Sequence, residues 1–298
     1  TTEIYTLSLH DALPIYGESF ESTSNFETPS LRVLHCPTMV GGNPQGLANA
    51  ERSIGLDSIA VTLANNYLKY RADKILFSNN PLLNELKRWW FVVVALKNFD
   101  VFHYNFGMSL CPARVFVDCG TYPRWMKRLY NLLYGRWLEL RDVGWARRLG
   151  KVIAVTYQGD DARQGEYCLR HYPIHFAREV GDNYYSSLSD SIKRSRIDFF
   201  DKHADLVYAL NPDLLNVLPS RARFMPYAHI DLTEWKSRHE SGEPPVVPHV
   251  VHAPTNRLVK GSRYVIDAFE RLKAEGVEFR YTLLEGMSNE EARKVYET

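Results

Sequence analysis

Short apolar runs alternate with longer polar segments of helical periodicity through most of the chain. The apolar runs predict five strands, at 31–36, 58–62, 100–104, 151–156 and 204–210. The intervening segments predict helices at 48–54, 82–96, 192–203 and 211–218. Strands that alternate with helices are typical of an α/β fold with a doubly wound parallel sheet.

Ligands of such sheets bind beyond the carboxyl ends of the strands. These ends are predicted at 37–46, 104–112, 157–163 and 211–212. The first of them contains Gly41 and Gly42, and glycines let the backbone approach a ligand and turn its N–H groups toward an anion. The spacing is Gly-Gly-x-x-x-Gly rather than Gly-x-Gly-x-x-Gly, which disfavours an NAD-dependent enzyme. The loop is therefore either an anion-binding turn or a plain strand-to-helix turn.

The length of 298 residues is typical of about two domains. A proline-rich stretch at 243–248 precedes a second pattern of strand and helix. The sequence therefore predicts a complete N-terminal Rossmann-like domain over 31–230, a linker over 231–248 and the start of a second Rossmann-like domain over 249–298. One strand–helix–strand unit cannot bury both faces of its sheet, so we expect this second domain to be incomplete.

The first fifteen residues, TTEIYTLSLHDALPI, resemble the conceptual translation of a sequencing adapter. We therefore exclude them from the fold prediction, and His10 and Asp11 with them as catalytic candidates. Residues 16–30 are polar and lack a period, which is typical of a flexible leader.

Charge and cysteine content exclude several classes of protein. Lysine and arginine number 36 against 35 acidic residues, so the net charge of +1 gives no general attraction to nucleic acid. No apolar run reaches the roughly 18 residues that a membrane-spanning helix needs. The four cysteines form no Cys-x-x-Cys pair, which favours a reducing, cytoplasmic setting and indicates no metal site.

A second candidate anion site lies in the segment 250–262. A strand ends there, a loop carries Arg257 and Lys260, and Ser262 is the predicted N-cap of the next helix. The positive end of a helix dipole beside two cations suits a diphosphate, although two solvated cations are the simpler interpretation. The predicted apolar face of that helix consists of Val265, Ala268, Phe269 and Leu272.

Three further features have two interpretations each. Asp160 and Asp161 are adjacent and could hold a metal, but an aspartate after a glycine more often caps a helix, so we predict a cap and no metal. The basic and aromatic segment 122–151 is either a membrane or anionic-acceptor surface, or a solvated helix face with buried aromatic rings. Among the scattered histidines, His103 at a strand end is the best candidate to line a cleft, but a structural histidine with satisfied hydrogen bonds is the default interpretation for each of them.

Five segments resemble, in order, the retaining glycosyltransferases of family four, which have the GT-B architecture. They are LRVLHCPTMVGGNPQG, DVFHYNFGMSL, GKVIAVTYQGDDAR, ADLVYALNPDLLNVLP and VVHAPTNRLVKGS, and the resemblance covers residues 31–298. It implies an N-terminal domain that binds the acceptor, a C-terminal domain that binds a nucleotide-sugar donor, and an active site in the cleft between them.

The resemblance also implies roles for individual residues. In this family an arginine and a lysine in the first loop of the C-terminal domain neutralise the donor diphosphate, and Arg257 and Lys260 match them. Gly41 and Gly42 would lie near the donor phosphates and sugar, and the reaction would need no metal and no cofactor. Gln158 stands where family members commonly have a histidine, so Gln158 and His103 are the catalytic candidates. Glutamine can hydrogen-bond a sugar but cannot act as a base.

The activity implied is that of a hexosyltransferase in polysaccharide biosynthesis, which transfers a sugar with retention to a glycan or lipid-linked acceptor. It would work in the cytoplasm or at the inner membrane face, with a membrane contact through 122–151 and no nucleic acid. The family's Glu-x7-Glu motif is not reached before Thr298, so we expect the full-length protein to be the enzyme and this truncated chain to be inactive. The alternative is a non-catalytic Rossmann-like binding or regulatory module.

Overall fold

The five predicted strands form close to their predicted positions in the computed structural model, which describes residues 30–64, 70–78, 80–112, 123–181, 184–227, 230 and 247–297. The strands are β1 Arg32–Cys36, β2 Asp57–Thr62, β3 Lys74–Ile75, β4 Val101–Asn105, β5 Val152–Tyr157, β6 Leu206–Ala209, β7 Arg223–Phe224, β8 His249–His252 and β9 Arg280–Leu283. The predicted leader and most of the predicted linker lie outside the described residues.

Helices connect most of these strands. They are α1 Asn43–Ser53, α2 Pro81–Asn98, α3 Arg124–Tyr130, α4 Arg136–Leu138, α5 Arg141–Arg148, α6 Gly165–His171, α7 Ser187–His203, α8 Ser262–Ala274 and α9 Asn289–Tyr296. Single helical turns also form at Val40–Gly42, Phe176–Arg178 and Pro212–Asn216, and a wider π-type turn joins α3 to α4 at Asn131–Gly135.

Seven strands make one sheet in the order β3-β2-β1-β4-β5-β6-β7, and every neighbouring pair is parallel. Val33 of β1 lies opposite Ser58 on one side and Val101 on the other. The strand order therefore reverses at β1, because β2 extends the sheet in one direction and β4 extends it in the other. This confirms the predicted α/β fold with a parallel, Rossmann-like sheet.

Helices cover both faces of this sheet. Leu34, Phe102 and Ile153 belong to the main hydrophobic core together with residues of α2, α5 and α7. His35, the next residue of β1, points to the opposite face because successive strand side chains alternate. There its Nε2 donates to Glu51 of α1 at 2.8 Å.

The start of α1 differs from the prediction. The helix begins at Asn43 rather than at residue 48, inside the segment that the sequence assigns to a loop. Pro44 stands in its first turn, where proline is tolerated since its missing N–H has no partner in the helix. The glycine loop is consequently shorter than expected, and Gly42 is itself the residue that precedes the helix.

A separate two-stranded parallel sheet pairs β8 with β9, and α8 connects them. Phe269 of α8 is buried, with ring centroids 5.1 Å from Phe279 and 4.2 Å from Tyr281. Ala268 and Leu272 remain exposed, so the predicted apolar face of this helix is buried only in part. Two strands offer too narrow a surface to cover it.

The predicted N-cap of α8 is wrong. Gly261 occupies the cap position with a left-handed backbone, and it offers no side chain to cap the helix. Ser262 is the first helical residue, and its buried hydroxyl lies 2.8 Å from Nε2 of His252 at the end of β8. Glycine adopts the left-handed conformation at little cost, which explains its place at this turn.

Residues 31–298 form one compact unit. Among the described residues, two ion pairs connect the segment 247–297 with the rest of it: Arg263 of α8 binds Glu179 at 2.8 Å, and Arg71 binds Glu290 at 3.3 Å. The division into an N-terminal domain over 31–230 and a second domain from 249 stays a prediction.

Candidate functional site

The best candidate for a functional site lies where the strand order reverses, beyond the carboxyl ends of β1 and β4. The connections from these two strands leave in opposite directions, and this divergence opens a crevice in doubly wound sheets. Gly41 and Gly42 follow β1, and Asn105 ends β4. Nδ2 of Asn105 donates to the carbonyl of Cys36 at 2.9 Å, and its Oδ1 accepts from Thr38. Asn105 therefore fixes the two strand ends to each other.

Gly41 and Gly42 both have a positive φ, of 65° and 74°. Two successive positions with a positive φ favour glycine, since a residue with an L side chain is strained in this left-handed conformation. The turn ends directly at α1, which has neither a side-chain cap nor an acidic residue in its first turn. The sequence therefore places an uncapped, positively polarised helix end beside the crevice.

Gln158 follows β5, and its backbone is held on three sides. Its N–H and that of Gly159 both donate to the carboxylate of Asp161, at 3.0 and 2.6 Å. Its carbonyl accepts from Nδ2 of Asn211 at 2.6 Å and from the hydroxyl of Tyr227 at 3.3 Å. The position of Gln158 is thus determined by three neighbours.

The side chain of Gln158, by contrast, has no partner within the described part of the chain. It is 5% exposed, and neither its Oε1 nor its Nε2 makes a hydrogen bond there. A Cβ placed on Gly41 would lie 3.9 Å from Oε1, so the amide faces the glycine turn. A buried amide without partners is unfavourable by about 1–3 kcal/mol, and a polar ligand would remove this penalty. Gln158 and Gly41, two predicted site residues, are therefore brought together.

The carboxylates of the two aspartates accept hydrogen bonds from groups of the protein. Burial raises the pKa of Asp161 to about 6, although the N–H groups of Gly159 and Gln158 oppose this shift. Asp160 accepts hydrogen bonds from Tyr184 and Tyr185. The predicted helix cap is wrong in its detail, since Asp161 caps the preceding turn. Among the described residues no group of three potential ligands gathers as a metal site would require.

His103 lies on the α1 face of β4, where it is partly buried. Its Nε2 is 2.6 Å from Oγ1 of Thr156, and its ring centroid is 4.9 Å from that of His35. Burial and the nearby His35 lower the pKa of His103 to about 3. A base with so low a pKa transfers protons poorly at neutral pH. This environment disfavours the catalytic role that the sequence analysis suggests for His103.

Arg257 and Lys260 lie in the loop between β8 and α8, and they differ in their contacts. The guanidinium of Arg257 binds both oxygens of Glu285, at 2.7 and 2.6 Å, in an exposed ion pair. Lys260 is exposed, and the described residues give it no ion pair. The loop itself is ordered by Asn256, whose Oδ1 accepts from the N–H groups of Leu258 and Val259.

The structure leaves the predicted site residues in two groups. No hydrogen bond or ion pair among the described residues links the pair Gly41 and Gln158 to the pair Arg257 and Lys260. Asn105, Asn211 and Tyr227 were missed by the sequence analysis. Asn105 and Asn211 each stand at the carboxyl end of a strand, and this position could have identified them.

Comparison with known proteins leaves the identity of the chain open. No family model and no curated protein matches it. No helix in the described residues is long and apolar enough to span a membrane.

Proposed function

We propose that the chain is part of a retaining glycosyltransferase that uses a nucleotide-sugar donor without a metal ion. The observation that carries this proposal is the buried, unpartnered amide of Gln158, which is fixed beside the turn of Gly41 and Gly42 at the reversal of the sheet. A sugar hydroxyl both donates and accepts hydrogen bonds, so it can satisfy both ends of such an amide.

The basic loop supplies the chemistry for the leaving group. A nucleoside diphosphate gains negative charge as the glycosidic bond breaks, and fixed cations stabilise that charge. Lys260 is available for this role. Arg257 would exchange Glu285 for phosphate oxygens, because a phosphate offers the same two-point geometry to a guanidinium and the present ion pair is exposed to water.

Replacing Gln158 with leucine tests the central observation. We expect Gln158→Leu to raise the free energy of unfolding by about 1 kcal/mol, since it removes an unsatisfied buried amide at similar volume. The same variant should weaken binding of UDP-glucose, a representative nucleotide-sugar, while leaving UDP binding unchanged. Denaturant unfolding and titration calorimetry measure the two effects. A loss of stability would show that the amide serves the fold and would remove the basis of the proposal.

Replacing Lys260 with alanine tests the basic loop separately. We expect about tenfold weaker binding of UDP and of inorganic pyrophosphate, because one charge-assisted contact is lost. Arg271→Ala is the matched control, since Arg271 is exposed near the opposite end of α8. Equal effects of the two substitutions would indicate unspecific attraction of anions.

A non-catalytic binding module is the second candidate. It is favoured by Gln158, which cannot move a proton, and by the engagement of Arg257 with Glu285. The rate of sugar transfer distinguishes the two. In a transferase Lys260→Ala should reduce the rate by about 10²-fold or more, whereas a binding module has no rate to lose.

A further inference from the structure

The helices on one face of the sheet expose an unusual amount of apolar surface to water. On α2 five large apolar side chains lie on the outside, mainly at helical spacing. They are Leu82, Leu83, Leu86, Trp90 and Val93. Scattered exposed apolar residues are normal, but contiguous sets of this size are typical of interaction sites.

A second apolar stripe runs along α3, the π-type turn and α4. The sequence analysis left open whether the aromatic rings of this segment are buried, and they divide: Trp125 is 66% and Trp137 54% exposed, whereas Tyr134 and Trp145 pack against the main core. Six large apolar side chains of the stripe face outward. They are Trp125, Met126, Leu129, Leu132, Leu133 and Trp137.

The two stripes are neighbours, and Tyr134 connects them. Its hydroxyl donates to Glu85 of α2 and accepts from Nε1 of Trp89, also on α2. Glu85 in turn pairs with Arg88. We call the exposed outer side of α2 and of residues 125–137 the apolar–basic surface.

Cations accompany the apolar side chains on this surface. The acidic side chains of the same elements bind other groups of the protein. Arg128 and Arg136 are exposed, Lys87 is half-buried, and the guanidinium of Arg141 lies 5.5 Å from the ring centroid of Trp137. The three acidic residues of α2 and of 123–151 all have partners within the protein. Glu85 binds Arg88 and Tyr134, Glu139 binds Arg196, and Asp142 is buried against Ser109 and the N–H of Leu110.

An open apolar groove of about 490 Å³ continues the surface at the far end of α2. Val93, Leu96 and Leu149 form its lining, and Lys97 and Lys151 contribute two ammonium groups. This combination suits an acyl chain that carries an anionic headgroup.

We propose that the apolar–basic surface binds the headgroup region of an anionic phospholipid bilayer, with its tryptophan and leucine side chains inserted and its cations against the phosphates. Amphipathic segments that carry large apolar side chains on one face and cations beside them bind membranes with the apolar face inserted at the level of the headgroups. A second copy of the chain fits less well, because a two-fold interface would place this cation-rich surface against itself. The proposal does not depend on the glycosyltransferase function.

Vesicle flotation of the full 298-residue chain tests this inference. We expect binding to vesicles that mix phosphatidylglycerol with phosphatidylcholine, and much less to phosphatidylcholine alone. Leu129→Gln with Leu133→Gln should reduce binding by about tenfold or more. Arg128→Gln with Arg136→Gln should reduce it by about fivefold for each cation, with the remaining binding less sensitive to salt.

Matched controls use equally exposed residues elsewhere. Ile174→Gln replaces an apolar side chain that is 92% exposed beyond α6, and Lys202→Gln replaces an exposed cation of α7. Both should bind vesicles as the unsubstituted chain does, and circular dichroism checks that every variant is folded. Three results would overturn the proposal: no binding to the anionic vesicles, an equal loss in the controls, or a dimer in sedimentation velocity that the leucine substitutions dissociate.

Discussion

At the scale of single residues, a row of polar side chains crosses the α1 face of the sheet. His35, His103 and Thr156 come from three adjacent strands, and Glu51 of α1 receives the hydrogen bond of His35. Burial raises the pKa of Glu51, but the hydrogen bond and charge of His35 outweigh it and leave that pKa below its usual value. Polar groups in this position are stable only while their protonation states suit one another.

The depressed pKa of His103 makes the stability of the protein depend on pH. The unfolded chain protonates this histidine below its model value of 6.5, whereas the folded chain keeps it neutral down to about pH 3. The contribution of neutral His103 to the free energy of unfolding is therefore fully present above pH 6.5, and it is lost as the pH falls. Between pH 6.5 and 4.5 the loss should be about 2–3 kcal/mol.

Comparison with His103→Gln isolates this contribution. Denaturant unfolding at several pH values should give a steeper acid loss of stability in the unsubstituted protein than in the variant. The comparison is needed because Asp161 has the opposite effect on stability. Its raised pKa makes the folded protein more stable as the pH falls from about 6 to 4. Parallel pH profiles would show that folding does not lower the pKa of His103.

At the scale of helices and strands, the sequence predicts best those elements whose residues are buried by the sheet. All five apolar runs became strands, because each is long enough to carry the alternation of two covered faces. β3 and β7 have two residues each, which is too short to produce a recognisable hydrophobic pattern in the sequence. The sequence analysis gives no bounds for the helices of 124–148, since most large apolar residues of α3 and of the π-type turn face water, although Val143 and Ala146 of α5 are buried in the core.

The cap of α6 shows why some local structure cannot be predicted from local sequence. The carboxylate of Asp190, on α7, accepts the N–H groups of Gly165 and Glu166 at 3.0 and 2.9 Å. This cap comes from more than twenty residues away, and only the packing of α6 on α7 brings it there. Two glycines in helices test how far such packing restricts the sequence.

Gly144 and Gly165 should respond in opposite ways to substitution by alanine. Gly144 lies inside α5, where a Cβ would have no heavy atom within 4 Å, so Gly144→Ala should stabilise the protein by about 0.5–1 kcal/mol. At Gly165 a Cβ would overlap with Cβ of Tyr185, and this overlap should destabilise the protein by about 1–3 kcal/mol. Thermal unfolding measures both. A neutral Gly165→Ala would mean that Tyr185 moves aside readily.

At the scale of the whole molecule, the sequence indicates where the second pattern begins but not how it contacts the first. Glu179 follows a short turn after α6, and nothing in its neighbourhood marks it as a partner of α8. In the structure it binds Arg263 and accepts from the hydroxyl of Tyr264 at 2.7 Å. Contacts of this kind depend on three-dimensional proximity, as does the meeting of Gln158 with Gly41.

Removing Glu179 should therefore loosen α8 without affecting the main sheet. In Glu179→Ala we expect amide hydrogen exchange in residues 262–274 to become about two- to fivefold faster, which corresponds to the modest strength of a partly exposed ion pair. Exchange in α7 should stay unchanged. Glu166→Ala is the matched control, since Glu166 pairs with Arg170 on α6 at 2.7 Å and that pair lies within one helix. Unchanged exchange in α8 would show that Phe269 and its aromatic neighbours, instead of this ion pair, determine the stability of the segment.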